Sequence, residues 1–384
     1  MKYRRILLAL FFFVPSTSQG FSLYEKNNVS LKLSGYFKNL VFNSKRMVTN
    51  NAYIADLNRL RLEGEATFFE KLSAKVAWDN ELILGDYVQT EEFNSRQTVR
   101  NSPYLDMDYE ISRRENFFYG QAFYRAHLKY DAGPFVLTVG RQKIDWGSAR
   151  LLSPADLFTP ISIFDVEKEE KTGSDAVNLV VPLGEKNRAN LIYTADRDLD
   201  RSRTGLRWTS TVEHFDISLY GGRFQRDGIF GIDYSGDVGQ SGLRGELNYN
   251  FANQADNFLQ ASLGLDHGFE NSLYLLGEYF FNGQALNQRN PNLFLTTRSA
   301  QPIKTQYQHF FNTQAKYDLT PLWIVQLMNI WDLSGSSLFI NPETVYELFS
   351  WLNLTGGALL PVGRTAGEFG AIPNFYYLQA QLFF

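Results

Sequence analysis

The chain contains no cysteine. That excludes a disulfide framework, a thiolate metal site and a lipid-modified N-terminal cysteine. Beyond one short stretch at its start it has no long apolar run, whereas a helical membrane protein would show several. Clustered positive charge is missing too. The 37 Lys and Arg against 41 Asp and Glu leave a formal charge of −4, which argues against nucleic acid as a partner. The four histidines, His127, His214, His267 and His309, lie in no nucleophile or metal motif, and neither GxSxG nor HExxH occurs. The sequence therefore points away from an enzyme and implies no metal and no cofactor.

What the chain does have begins with its first twenty residues. Lys2, Arg4 and Arg5 precede an apolar run from Ile6 to Val14, followed by Pro15 and the small residues Ser16, Ser18 and Gly20. Charge, short apolar core and small-residue site in that order describe a secretory signal peptide over 1–20. The run is too short to span a bilayer, which takes about 20 residues. Cleavage is expected after Gly20, with Ser18 as the second site. Loss of three cations moves the charge from −4 to −7, as 37 − 3 = 34 against 41. Residues 21–384 are then expected to form one domain.

Aromatic residues are abundant at 15%, with a slightly negative mean hydropathy. A transmembrane barrel produces this mixture, because alternation makes each spanning segment only half apolar. Period-2 alternation recurs along the whole chain. Leu60, Leu62, Gly64, Ala66 and Phe68 oppose Arg59, Arg61, Glu63, Glu65 and Thr67. Gly120, Ala122, Tyr124, Ala126, Leu128 and Tyr130 oppose Gln121, Arg125, His127 and Lys129. Leu206, Trp208 and Val212 oppose Arg201, Arg203, Arg207 and Thr209, and Leu243, Leu247, Tyr249 and Phe251 oppose Arg244, Glu246, Asn248 and Asn250. Such segments approach the 9–11 residues that cross a bilayer at a tilt and exceed the usual soluble strand. Tyr53, Phe68, Trp78, Phe117 and Tyr130 stand near segment ends, where interfacial girdles belong.

The predicted fold is an all-β, transmembrane antiparallel β-barrel of about 18 strands, with 16 as the alternative, in the outer membrane of a Gram-negative bacterium. The strands fall near 29–42, 53–69, 72–85, 117–130, 135–145, 174–183, 188–196, 202–213, 215–226, 229–237, 241–251, 257–268, 272–283, 306–318, 322–333, 337–346, 351–361 and 375–384. Tight turns at Glu70-Lys71, Asp131 to Pro134 and Thr320-Pro321 alternate with long loops at 86–116, 146–173 and 284–305. In the first tight hairpin, a register in which residue numbers sum to 140 sets Glu65 against Lys75, Arg61 against Asp79 and Arg59 against Glu81. Opposite charges then face each other across the strands. These groups are read either as a wall-stiffening ladder or as solute contacts.

Residues 140–175 break the alternation. Ser153-Pro154-Ala155-Asp156 reads as a helix start, with Ser153 as N-cap and Pro154 at the first helical position. The stretch 146–173 carries Leu151, Leu152, Leu157, Phe158, Ile161, Ile163 and Phe164. That much apolar surface predicts an inward-folded constriction loop packed on the inner wall. Gly140, Arg141, Gln142, Trp146, Gly147, Pro154, Asp156 and Phe158 resemble the GRQ, WG and PxDxF signature of a group of porin-like outer-membrane barrels. The chain is also loosely similar to alginate-export barrels, whose lumen is arginine-lined. Its end, Tyr376, Leu378, Ala380, Leu382 and Phe384, resembles the closing strand read by the barrel-assembly machinery. That resemblance implies this machinery, periplasmic chaperones and outer-membrane lipid as partners.

The expected function is diffusion of small polar solutes, with a dedicated exporter or channel for an anionic polysaccharide or oligosaccharide as the alternative. Expected pore-lining or constriction residues are Arg59, Arg61, Arg125, Lys129, Arg141, Asp145, Asp156, Arg201, Arg203, Arg207 and Arg244. For Arg141 and Asp145, anchoring of the loop by ion pairs is weighed against a place in the constriction. Inward cations, which also include Lys75 and Lys316, outnumber the inward acids Glu63, Glu65, Asp79, Glu81, Glu246 and Asp266. Charge rings bias selectivity, so the lean is towards anions. His267 and His309 fall on the outward face near strand ends.

Overall fold

The protein was described from a computed structural model covering residues 20–26, 28–46, 49–94, 104–159, 171, 173–253, 255–288 and 305–384. The signal-peptide expectation, and the part of the constriction loop at 160–170 and 172, lie outside these residues. Alternating side chains and turn residues produce, in order, β1 (Phe21–Lys26), β2 (Val29–Lys45), β3 (Ala52–Phe68), β4 (Leu72–Gly85), β5 (Asp108–Arg114), β6 (Phe117–Asp131) and β7 (Val136–Gln142). Then come β8 (Ser174–Pro182), β9 (Asn187–Thr194), β10 (Arg203–Val212), β11 (Phe215–Phe224), β12 (Asp227–Val238), β13 (Ser241–Phe251) and β14 (Phe258–Gly268). The series ends with β15 (Leu273–Asn282), β16 (His309–Thr320), β17 (Trp323–Asp332), β18 (Ser337–Phe349), β19 (Leu352–Gly363) and β20 (Phe375–Phe383).

Eighteen of these strands form a closed antiparallel barrel, because β20 returns to pair with β2 from Tyr36↔Phe383 to Asn43↔Tyr376. Closure removes the free sheet edges that a bilayer would penalise. The other two strands complete its margins. β1 pairs with Val29–Leu33 of β2, where β20 has ended. β5 lies inside the long 86–116 loop and pairs with the upper half of β6, on the side where β7 takes the lower half. Both are short continuations of a neighbour's ladder, without an alternating run long enough to cross a bilayer.

The β3–β4 register is the one in which residue numbers sum to 140, and Arg59, Arg61, Asp79 and Glu81 share the lumen face. Arg61 grips Asp79 with two bonds, Nε to Oδ1 at 2.5 Å and Nη2 to Oδ2 at 2.7 Å. Arg59 reaches Glu81 at 2.7 Å, and Lys75 pairs diagonally with Glu63 at 3.3 Å. Arg61 is also stacked on the Tyr124 ring, 3.9 Å from its centroid. The Arg61–Asp79 and Arg59–Glu81 pairs are deeply buried, so losing one partner leaves an uncompensated charge, whereas Lys75–Glu63 is partly exposed.

Two details differ from simple alternation. In β6 the pairing jumps from Trp78↔Phe123 to Ala77↔Arg125, leaving Tyr124 as a bulge. The extra residue reverses the parity. Gly120 and Ala122 therefore face the lumen together with Arg125, His127 and Lys129, instead of joining Ala126, Leu128 and Tyr130 outside. Tyr53 also points inward, where it packs on Tyr87 and Phe42; it is no part of an outer girdle. Phe68 and Tyr130 are outward and exposed.

Asp79→Leu is expected to destabilise the barrel by about 3 kcal/mol, since it strands a buried guanidinium. The Arg61→Leu/Asp79→Leu double variant should recover most of that loss in a denaturant titration of the folded protein in detergent. Equal losses in the two variants would show that the pair contributes by packing alone.

The lumen and its inserted loop

After Gln142 the chain leaves the wall. The Gln142 side chain donates to Thr138 O, Gly140 O and Ala176 O, closing the ladder at this point. The segment 143–159 then enters the lumen. Its apolar side chains Ile144, Trp146, Ala155, Leu157 and Phe158 pack on Ala176, Ile192, Tyr220, Phe224 and Ile229 of the inner wall. Gly205 permits the close approach, because a Cβ there would stand 2.5 Å from Trp146 Cη2.

A segment inside the lumen cannot make ladder bonds, so its backbone needs other partners. Two glutamates of the wall supply them. Glu246 on β13 accepts from the backbone N–H groups of Ser148, Ala149 and Ala155 at 2.5, 2.6 and 2.9 Å. It also accepts from the Ser153 hydroxyl at 2.8 Å. Glu278 on β15 accepts from Arg150 N–H at 2.8 Å and Leu152 N–H at 2.9 Å. The expected helix beginning at Ser153 is absent. Pro154-Ala155 form a turn and Phe158-Thr159 a bend, and the Ser153 hydroxyl that would have capped a helix serves the wall carboxylate Glu246.

The loop's carbonyls are met by wall donors. Arg203 donates to Leu157 O at 2.8 Å, Arg207 donates to Trp146 O, and Asn248 donates to Pro154 O at 2.5 Å. Trp146 Nε1 donates to Asn190 Oδ1 at 2.8 Å. A clasp fastens the loop to its own return. The Lys171 ammonium lies 2.6 Å from both Asp145 and Asp156, and Lys143 adds a 2.7 Å contact to Asp145. Burial pushes the Asp156 carboxyl up to about 6, against the pull of Lys171. At Asp145 burial also pushes upward, but Lys143 and Lys171 together outweigh it and hold the group below its ordinary value.

The expected site residues thus separate into distinct places. Arg59 and Arg61 are lumen-facing but sealed in the ladder. Arg203 and Arg207 hold the loop, with Arg207 also 2.8 Å from Asp233. Arg244 faces the lumen, 2.5 Å from Asp266. Arg201 lies in a turn at the head of β10, exposed and 3.6 Å from Asp198. Arg141 shares the outward face of β7 with Leu137 and Val139, opposite Asp175. It is covered by the lead-in to β5, donating to Asp175 at 2.9 Å, Phe123 O at 3.0 Å and Leu105 O at 2.7 Å. It is a strut of the wall. Glu278 was missed from the sequence, although a lone acid at an inward position of the apolar strand LYLLGEYFFN was a usable signal.

Two water-accessible chambers flank the loop. The larger, about 700 Å³, is lined by Arg61, Lys75, Arg125, Lys129, Lys143 and Lys171, with His127 and a single acid, Glu63. The smaller, about 550 Å³, is lined by Arg150 and Arg244 with Glu213, Asp216, Asp237 and His214. Above them, Phe93 and Phe369 fold inward from the segments after β4 and β19 and are fully buried.

The chain is therefore a barrel whose lumen is narrowed by an inward-folded loop. Solved structures share this fold. One is OccD3 (OpdP) of Pseudomonas aeruginosa, with a TM-score of 0.59 at 10% identity, covering 97% of this chain and 94% of that one. Another is OccAB2 of Acinetobacter baumannii, with 0.57 at 8% identity, covering 92% and 98%. A third is OccK8 (OprE) of Pseudomonas aeruginosa, with 0.57 at 8% identity, again covering 92% and 98%. No protein-family model matches the chain, and no curated protein matches it. At these identities the likeness is one of fold.

Glu246→Ala should expose the amides of 148–155 to hydrogen exchange about 100-fold faster, corresponding to roughly 3 kcal/mol of lost charged hydrogen bonds. Added formate should restore part of the protection, and unchanged exchange would refute the anchoring. Asp156 predicts a pH effect. Its folded-state value lies above the unfolded one, so its contribution is fully present below about pH 4 and is lost as pH rises through about 6. Between pH 7 and 5 the folded state should gain about 1 kcal/mol. Asp156→Asn should abolish that component of the denaturation profile.

Proposed function

We propose that the protein is a porin of the Gram-negative outer membrane that admits small polar solutes and favours anions. The observation that carries this reading is the larger chamber, lined by six cationic side chains and one acid. Four of the cations are ion-paired: Arg61 with Asp79, Lys75 with Glu63, and Lys143 and Lys171 with the loop carboxylates. Glu63 is engaged by Lys75 and Asp79 by Arg61, whereas Lys129 has no ion-pair partner among the described residues. A cationic lining in a narrow passage favours anions by field focusing. The structural neighbours are porins of the Occ group, which supports a channel and is silent on charge preference. Export of an anionic polymer would need a continuous track of free arginines. Arg203 and Arg207 are instead committed to the loop, which favours the porin reading. Insertion by the barrel-assembly machinery fits the outward row Tyr376, Leu378, Leu382 and Phe384 of the closing strand.

The test is the reversal potential of the refolded protein across a salt gradient in a planar bilayer. The wild type should show anion selectivity, and Lys129→Glu should shift the potential towards cations. A cation-selective wild type would refute the anion preference.

A further inference from the structure

The strap between β19 and β20, residues 364–374, turns back into the end of the barrel that carries the long loops. Gly367, Glu368 and Phe369 at its centre are buried. Phe369 lies against Phe310 and Phe339 on the lumen face of β16 and β18, with ring centroids 6.3 and 5.7 Å apart. Leu152 of the inserted loop belongs to the same apolar cluster.

Two neighbours fasten the strap. From the β17–β18 turn, Asp332 accepts from Glu368 N–H at 3.0 Å, Gly335 N–H at 2.6 Å and the Ser337 hydroxyl at 3.0 Å. Ser337 Oγ in turn accepts from Phe369 N–H at 3.1 Å. From the segment before β16, Gln306 N–H and Tyr307 N–H donate to Glu368 Oε2 at 2.8 and 3.2 Å. The Tyr307 hydroxyl donates to Ala366 O at 2.5 Å. The fit is close, since a Cβ at Gly367 would stand 2.7 Å from Gly335 O.

Glu368 is the weak member of this arrangement. Its other oxygen, Oε1, is buried and has no partner among the described residues. The charge that faces it is a second acid, Asp332. Arg364 of the strap is exposed, and His309 of β16 is turned to the Tyr279 hydroxyl at 2.6 Å. A carboxylate with a bare oxygen beside a like charge is costly to bury, far more than the neutral acid. Burial pushes the Glu368 carboxyl up to about 8; the two amides oppose the rise and Asp332 adds to it.

We propose that Glu368 is a proton-dependent latch, whose neutral carboxyl ties the strap to the 305–308 segment at the mouth of the barrel and whose ionisation lets the strap go. The mouth is therefore held in acid and released towards alkaline pH. The folded-state value lies above the ordinary 4.5, so the latch is fully present below that pH. It weakens by up to about tenfold per pH unit and is lost once pH passes about 8. Control of a current by this latch rests on the porin reading; the fastening itself does not.

The test is hydrogen exchange of the Gln306, Tyr307, Glu368 and Phe369 amides in the refolded protein. Rates are taken relative to the same unfolded sequence, so that the intrinsic effect of pH cancels. Wild-type protection should fall at least about 30-fold between pH 5 and 8 and level off above it. Glu368→Gln keeps the acceptor and cannot ionise, so its protection should not change with pH. Glu368→Ala should be poorly protected throughout. Flat protection in the wild type, or an unchanged slope in Glu368→Gln, overturns the latch. In a planar bilayer the wild type should spend more of its time in a low-conductance state at pH 5 than at pH 8, and Glu368→Gln should behave alike at both. A conducting wild type whose current ignores pH overturns control of the mouth. No current from any variant would count against the porin reading, with the latch still decided by exchange.

Discussion

The arrangement of the lumen depends on one constraint: a backbone that leaves the barrel ladder must find new hydrogen-bond partners. Two inward carboxylates meet it. Glu246 and Glu278 gather the N–H groups of residues 148–155, while arginine and asparagine side chains of the wall receive carbonyls of the same segment. A carboxylate can serve several backbone donors at once, because each of its two oxygens carries two lone pairs. The loop and the wall therefore stabilise each other, and the position of the loop decides which cations face water.

The same constraint separates structural from solvent-facing charge. Arg61 and Arg59 are held by Asp79 and Glu81, and Arg141 is enclosed between Asp175 and two carbonyls. Lys129, Lys75 and Arg125 line the larger chamber. A tally of basic residues by parity overstates the field in the passage, because a guanidinium buried against a carboxylate contributes little at a distance. The inward basic excess survives as a local feature of one chamber, beside a smaller chamber of mixed sign.

Much of the barrel was legible in the sequence. All eighteen predicted wall strands correspond to observed ones, and the β3–β4 register followed from charge pairing alone. Alternation carries that information because the side-chain period is two and the outer face is apolar. It fails where the backbone departs from the period. The Tyr124 bulge shifts β6 by one residue, and no composition signal marks it. Tyr53 looked interfacial because an aromatic at a strand end does not show which way it points. Arg141 followed the same limit, since the β5 lead-in that covers it comes from a distant loop. Ser153-Pro154 carried a valid local helix-start signal that the tertiary carboxylate of Glu246 overrode. The anchors Glu278 and Asn190 act through contacts distant in sequence, which periodicity does not register.

A carboxylate-held loop that narrows the lumen should control any conductance through it. This control is tested most directly by single-channel conductance of the wild type beside the Glu246→Ala/Glu278→Ala variant in a planar bilayer. The wild type should show a steady, ohmic open state and the variant a larger, fluctuating conductance. Correctly folded wild type without conductance, or identical traces from both proteins, would contradict it.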